Sequence, residues 1–321
     1  MLVAGLLLLV LMGAVSLLVG AGELSPADVL ETLRAGPGTS QPAIIVWDMR
    51  LTRTIVAAIV GLALGVAGAL MQAMTRNPLA DPGLLGVSAG AGLAVVVTSG
   101  VFGVTAFLPN VWPALLGALV VSLAVYAIGF GAGKDSHATL VLAGVAITSA
   151  LTGIATGLAL IDPARFNTLR IWMAGSVQGR DLGTIGQASV LIAIGLLIAF
   201  LVAQPLSQLA LGDDLARSLG VRVGATRVAG GAAILVLAGV GTATSGPIAF
   251  IGLMVPHLAR ALVGPNLKWA LAYSGIAGAL VLVTADIAAR LVIWPAEAPA
   301  GVLTAIIGAP VLAALARGAL R

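Results

Sequence analysis

Hydrophobic residues in this chain come in runs, and the runs are long. Crossing about 30 Å of hydrocarbon takes about 20 residues of helix at 1.5 Å each. Stretches of that kind lie at roughly 2–20, 54–74, 83–101, 108–131, 138–160, 185–203, 225–243, 246–263, 270–293 and 300–318. About ten transmembrane helices are therefore expected, an all-α integral membrane protein in which residues 1–321 form a single transmembrane domain. No Lys or Arg precedes the first run, so it reads as an uncleaved span; a signal peptide would begin with basic residues.

The polar stretches between the runs carry their own structure. In the loop over about 21–49, Ser25-Pro26 predicts a short capped helix over 27–33. A second long connection, 204–224, begins at Gln204-Pro205 and holds a short amphipathic helix from Leu211 to Gly220. Asp213 or Asp214 is placed to cap its start, and Gly220 suits a left-handed C-terminal position. The pattern alone fits two roles equally, a helix lying on the lipid or one that touches a partner. Broken helices are signalled at Asn77-Pro78, Asp81-Pro82-Gly83, Ser245-Gly246-Pro247 and Val255-Pro256-His257, because proline removes a donor and fixes φ. Two of these breaks run on through an apolar stretch to Gly86 and Gly252, corresponding positions if the halves are repeats, where a transport path is expected.

Composition makes lipid the solvent. The chain is 60% hydrophobic and 9% charged, against about 25% charged in a soluble domain. Its 42 glycines suit helices that approach backbone to backbone. With no cysteine and two histidines, His137 and His257, disulfides and thiolate chemistry are excluded and no metal site or catalytic cluster is expected. The net charge of +4 comes without a basic cluster interleaved with aromatics, so nucleic acid is not an expected partner. With both termini in the cytosol, nine of the Lys and Arg residues fall inside (Arg76, Lys134, Arg217, Arg222, Arg227, Arg260, Lys268, Arg317, Arg321) and seven outside, a slight positive-inside bias.

Little of the chain carries chemistry. Gly133-Lys134-Asp135 resembles the end of a phosphate-binding loop but lacks its first glycine, where Ile128 stands, and its Ser/Thr, where Asp135 stands. The chain does not bind ATP by itself. Asp286 and Arg290 lie four apart on one helix face and read as a mutual ion pair near the outer end. Gln72, deep in the second run, reads as glue between helices. So few intramembrane carboxylates imply that driving energy comes from elsewhere; an ion-coupled carrier built on Asp286 is the alternative.

Several segments, taken together and in order, resemble the FecCD family, the permease subunits of ABC importers for iron-siderophores, haem and cobalamin. They are Arg50-Leu-Thr-Arg53, Gly68 to Gln72, Asn77 to Gly86, Leu142 to Val145, Trp172 to Ser176, Leu211 to Gly220, Gly246 to His257, Ala285 to Arg290 and Gly301 to Pro310. One departure is Thr52, where the family usually has proline. The resemblance implies a multi-pass permease of the inner (cytoplasmic) membrane, ten-span with re-entrant segments, paired with an identical or related permease chain. It implies a separate cytosolic ATPase dimer that binds ATP and Mg, with no cofactor on this chain. It implies an extracytoplasmic binding protein that delivers a ferric siderophore, haem or cobalamin, the first being the commonest cargo. Leu211, Gly212, Asp213, Asp214, Ala216, Arg217, Leu219 and Gly220 would form the coupling helix on that ATPase. Arg50, Arg53 and Arg290 would meet acidic residues of the binding protein, although Arg50 and Arg53 by themselves also suit a headgroup anchor. Ser136, His137, Ala138 and Thr139 would lie at the inner gate, where small side chains leave room for a bulky cargo, and His137 reads as solvated rather than as a haem ligand.

Overall fold

The computed structural model describes residues 2–20, 24–103, 107–131, 136–293 and 296–319, and all regular structure among them is helical. Ten apolar helices appear where the hydrophobic runs predict them. They are α1 (Leu2–Leu18), α3 (Gln41–Thr75), α4 (Val87–Phe102), α5 (Phe107–Gly131), α6 (Ser136–Leu160), α8 (Leu182–Leu209), α10 (Val223–Ser245), α11 (Ile251–Val263), α12 (Leu267–Leu291) and α13 (Ala300–Ala319). Six of them (α3, α5, α6, α8, α10 and α12) are long and apolar enough to cross a membrane. Three shorter helices, α2 (Pro26–Ala35), α7 (Pro163–Met173) and α9 (Asp213–Ser218), sit in the connections.

The bundle is organised around α3. Its apolar window is 78% buried against 11% for α6, so α3 is the centre and α6 the periphery. Glycine makes that centre possible. A Cβ on Gly61 would stand 2.3 Å from the Gly278 carbonyl oxygen of α12, and one on Gly68 2.0 Å from that of Gly252 in α11. Only bare backbone fits at either crossing, and close approach supplies the dispersion contacts that hold helices together in lipid.

The breaks behave in two ways. Asn77 and Asp81 accept from the backbone N–H groups of Leu79 and Gly83, a short 3₁₀ turn over Pro82–Leu85 follows, and Gly86 at φ +74° starts α4. The other break interrupts the chain between α10 and α11, with Gly246 at φ +71° and Phe250 at φ +69°. These two breaks meet. Gly252 packs against Asp81 and Pro82, and a cavity of about 190 Å³ lies between them, lined among others by Ser88, Thr242 and Pro247.

Pro256 and Pro205, by contrast, end nothing. Pro256 lies inside α11 and Pro205 inside α8, which runs on to Leu209, so the connection expected from 204 starts six residues later. Pro256 has no N–H for the Gly252 carbonyl, and Gln72 of α3 supplies the donor. Its Nε2 lies 3.4 Å from the Gly252 oxygen and 3.1 Å from that of Leu253, while Arg260 donates to its Oε1. Gln72 is thus the expected glue, mending a proline gap.

The expected loop over 21–49 is mostly helix. Ser25 and Asp28 form a reciprocal capping box on α2, and Trp47 Nε1 reaches the Thr32 carbonyl at 3.5 Å. The central helix begins at Gln41, thirteen residues before its apolar run, through a π-helical segment Ile44–Leu51. Polar residues there hid it from hydropathy, although Ser40, which caps at 3.4 Å, was a legible start. Helix α7 was missed too, and Asp162-Pro163 was its signal: Asp162 accepts from the Ala164 N–H at 2.9 Å.

Candidate functional site

Two ends of the bundle concentrate polar chemistry, and they differ. At the first, Arg53 and Asp286 face each other across α3 and α12. Arg53 Nε donates to both carboxylate oxygens at 2.7 and 2.9 Å, and Arg290 Nε reaches the same carboxylate at 3.1 Å. The expected Asp286–Arg290 pair is therefore present, but as part of a larger network. Glu297, between α12 and α13, accepts from Arg53 Nη1 and from Gln178 Nε2.

Helix α1 enters the same network through its unsatisfied end. The last carbonyls of a helix lack N–H partners, and α1 has no basic residue in its last turn. Two arginines from other helices take that place. Arg290 Nη1 donates to the Ser16 and Val19 carbonyls at 2.7 and 2.9 Å, and Arg50 Nη1 to Leu17 and Leu18 at 2.8 and 3.3 Å. Positive charge at a helix C-terminus is favourable. A Cβ on Gly20 would stand 2.6 Å from the Arg50 guanidinium, so a larger residue there would shift that side chain.

Arg50, Arg53 and Arg290 consequently do not project into water. They are 6%, 8% and 1% exposed and hold the fold together from inside. They do line a cavity of about 520 Å³ together with Asp48, Gln178 and Glu297. Asp286 is 0% exposed between two guanidinium groups, where it is an ion-pair partner and not a free relay carboxylate. Glu297 and Gln178 are the members that sequence reasoning missed. Neither lies in a helix or a periodic pattern, and only folding brings them to Arg53.

Around this end two further segments of the family pattern, Trp172 to Ser176 and Gly301 to Pro310, are tied to each other and to Ser245. The Ser176 N–H donates to the Ser245 carbonyl at 2.7 Å and that of Gly301 to Gly175 at 3.0 Å. Arg180 spans them, donating to the carbonyls of Thr244 at 2.6 Å and Ser176 at 2.9 Å.

The opposite end carries α9. The expected aspartate cap is not what starts it. Gly212 holds the N-cap position at φ +112° with no side-chain cap, because both aspartates already lie inside the first turn. Asp213 instead accepts from Arg227 of α10 at 2.9 Å and lies 3.6 Å from Arg76, which itself donates to the Leu209 carbonyl. Asp214 pairs with Arg217 at 2.8 Å on the open side. The stop is as expected. Gly220 at φ +82° donates to the Arg217 carbonyl and Val221 to that of Ala216, both at 3.0 Å, a Schellman motif. Ala216 faces inward, fully buried. Leu211, Leu215 and Leu219, four residues apart, stand 63%, 49% and 53% exposed.

Of the expected gate, the backbone at Ser136–Thr139 forms the start of α6, and Thr139 is half-buried. The side chains of Ser136, His137 and Ala138 lie outside the described residues, as does the segment Gly133-Lys134-Asp135. Among the described residues no cluster of His, Asp and Glu could hold a metal.

Comparison with known proteins bears on all of this. Residues 7–318 match the model of the FecCD transport family. The chain is 46% identical to the ferric enterobactin transport system permease protein FepD of Escherichia coli K12, over 97% of this chain and 93% of that protein. It is 38% identical to the hemin transport system permease protein HmuU of Yersinia pestis, over 95% of this chain and 91% of that one. Among solved structures, a metal-chelate type ABC transporter in an inward-facing conformation superposes with a TM-score of 0.82 at 26% identity, covering 98% of both chains. The family model spans nearly the whole chain and the relatives align with it from end to end: this chain belongs to the FecCD transport family.

Proposed function

We propose that this chain is the transmembrane permease subunit of an ATP-driven importer, in which it provides the path and a separate cytosolic ATPase provides the energy. The cargo class is a ferric siderophore, in keeping with 46% identity to an enterobactin permease, with haem as the next choice. Two permease chains, identical or related, two ATPase subunits and an extracytoplasmic binding protein make up the machine, in the inner membrane with both termini of this chain cytosolic.

The observation that carries this function is α9. Leu211, Leu215 and Leu219 stand exposed at and beside this short connecting helix with no core of this chain to cover them, and a groove on the ATPase would. Two features make α9 a handle. It is tied through Asp213 to Arg227 and Arg76, and thus to α10 and to the end of α3, so a push on it reaches the central helix. Its Gly212 and Gly220 ends set its angle without side-chain caps. The inner gate at Ser136, His137, Ala138 and Thr139 opens onto the same end. At the other end Arg50, Arg53 and Arg290 are the cations of the cavity wall that acidic residues of the binding protein meet on docking. An ion-coupled carrier finds no support in Asp286, whose carboxylate is shared by Arg53 and Arg290.

The test is uptake of labelled ferric siderophore, haem and cobalamin into vesicles holding the chain, its ATPase and its binding protein. Uptake of one cargo that needs ATP and fails in Asp214→Arg supports the importer. Uptake indifferent to ATP and abolished by an ionophore overturns it.

A further inference from the structure

We propose that Glu297 is a built-in competitor for docking: in the undocked chain it occupies the face of Arg53 that an acidic group of the binding protein takes on contact. The inference rests on the docking role given above to the arginines.

The network has two carboxylates with different duties. Asp286 is fully buried, receives Arg53 through Nε in a two-pronged contact and also receives Arg290. It holds Arg53 in place whatever happens outside. Glu297 takes the other edge of the same guanidinium, Nη1, and its side chain is 25% exposed. It stands on the wall of the 520 Å³ cavity, beside Arg50, Arg290 and Gln178. The backbone next to it is pinned, the Ala298 N–H donating to the Ala289 carbonyl at 2.9 Å, so Glu297 is presented to Arg53 from a fixed anchor.

An approaching carboxylate therefore finds an arginine that is already oriented but already paired. Exchange replaces one charge-assisted bond by another, and Glu297 swings toward the open side of the cavity. Because the bond count is conserved, the internal pair lowers affinity for any acidic surface. A partner must bring enough complementary charge to displace it, which selects for the cognate surface over weakly acidic ones. Gln178 sharpens the effect by holding the same Glu297 oxygen that Arg53 holds.

The experiment measures docking of the extracytoplasmic binding protein on the permease–ATPase complex in nanodiscs, by surface plasmon resonance at several salt concentrations. Glu297→Gln removes the charge at unchanged size, and the expected result is docking at least about fivefold tighter with a steeper salt dependence. Glu297→Asp draws the carboxylate back from Arg53 and is expected to tighten docking by a smaller factor. It decides the matter if the Gln variant fails to fold. Arg53→Ala separates the two levels of the proposal. If Arg53→Ala leaves docking unchanged, the docking role itself fails and this inference falls with it. If Arg53→Ala weakens docking while the Glu297 variants leave it unchanged or weaken it, docking stands and Glu297 is only a clamp for Arg53. Both results overturn the competitor.

Discussion

The two polar ends of this bundle invert the usual rule of what is buried. At the Arg53 end the charged groups are inside: Arg290 and Asp286 are at most 1% exposed. At the α9 end the leucines are outside, with Leu211 63% exposed. Each inversion has its own physics. Buried charge is tolerated where every group meets an opposite charge or a carbonyl, and here the carbonyls are those that α1 leaves unsatisfied at its end. The leucines at and beside the short helix α9 have no such compensation within this chain, and lipid or a partner would cover them. One end is a lock within the chain, the other an open face.

The sharpest way to break this contrast is to unbalance the lock. Asp286→Asn leaves Arg53 and Arg290 buried against a neutral amide, and a loss on the order of 3–5 kcal/mol is expected, read as a fall in thermal unfolding temperature in detergent. Retention of near-normal stability would mean that the arginines find water instead. Gly68→Ala should cost about 1–3 kcal/mol by the same measurement, because α11 must move away from a Cβ that has no space. Gln72→Leu keeps the volume but orphans the Gly252 carbonyl below Pro256, with an expected cost of about 1–3 kcal/mol. At the open face the expectation reverses. Leu215→Asp should change stability by no more than about 0.5 kcal/mol while ATP-driven uptake and ATPase co-purification collapse. A large stability loss there would show that the leucine row is covered by this chain itself.

Much of the architecture was readable beforehand, element by element. The ten apolar helices follow from runs with almost no charge, since no other element satisfies its backbone in lipid. The capped helix after Ser25-Pro26, the left-handed Gly220 and the Asp286–Arg290 spacing are local, set within a few residues, and each appears in the structure. What misled was context. Pro205 and Pro256 look like breaks to a local rule, yet their helices continue, and at Pro256 Gln72, more than 180 residues away in sequence, supplies the missing donor. Asp213 looks like a cap until Arg227 is seen beside it.

By itself the sequence determined that this protein lives in lipid, that it is helical and where its apolar helices run, because each rests on composition or periodicity; its family showed as a resemblance, carried by motifs in order along the chain. Only the tertiary structure decided what its charges do. Arg50 and Arg290 became caps for α1, Arg53 became the hub between Asp286 and Glu297, and the two glycine-rich breaks came together around one cavity. The physical reason is distance along the chain. Partners such as Arg53 and Asp286, 233 residues apart, leave no periodic trace, and an arginine reads the same in sequence whether it meets water, a carbonyl or a buried carboxylate.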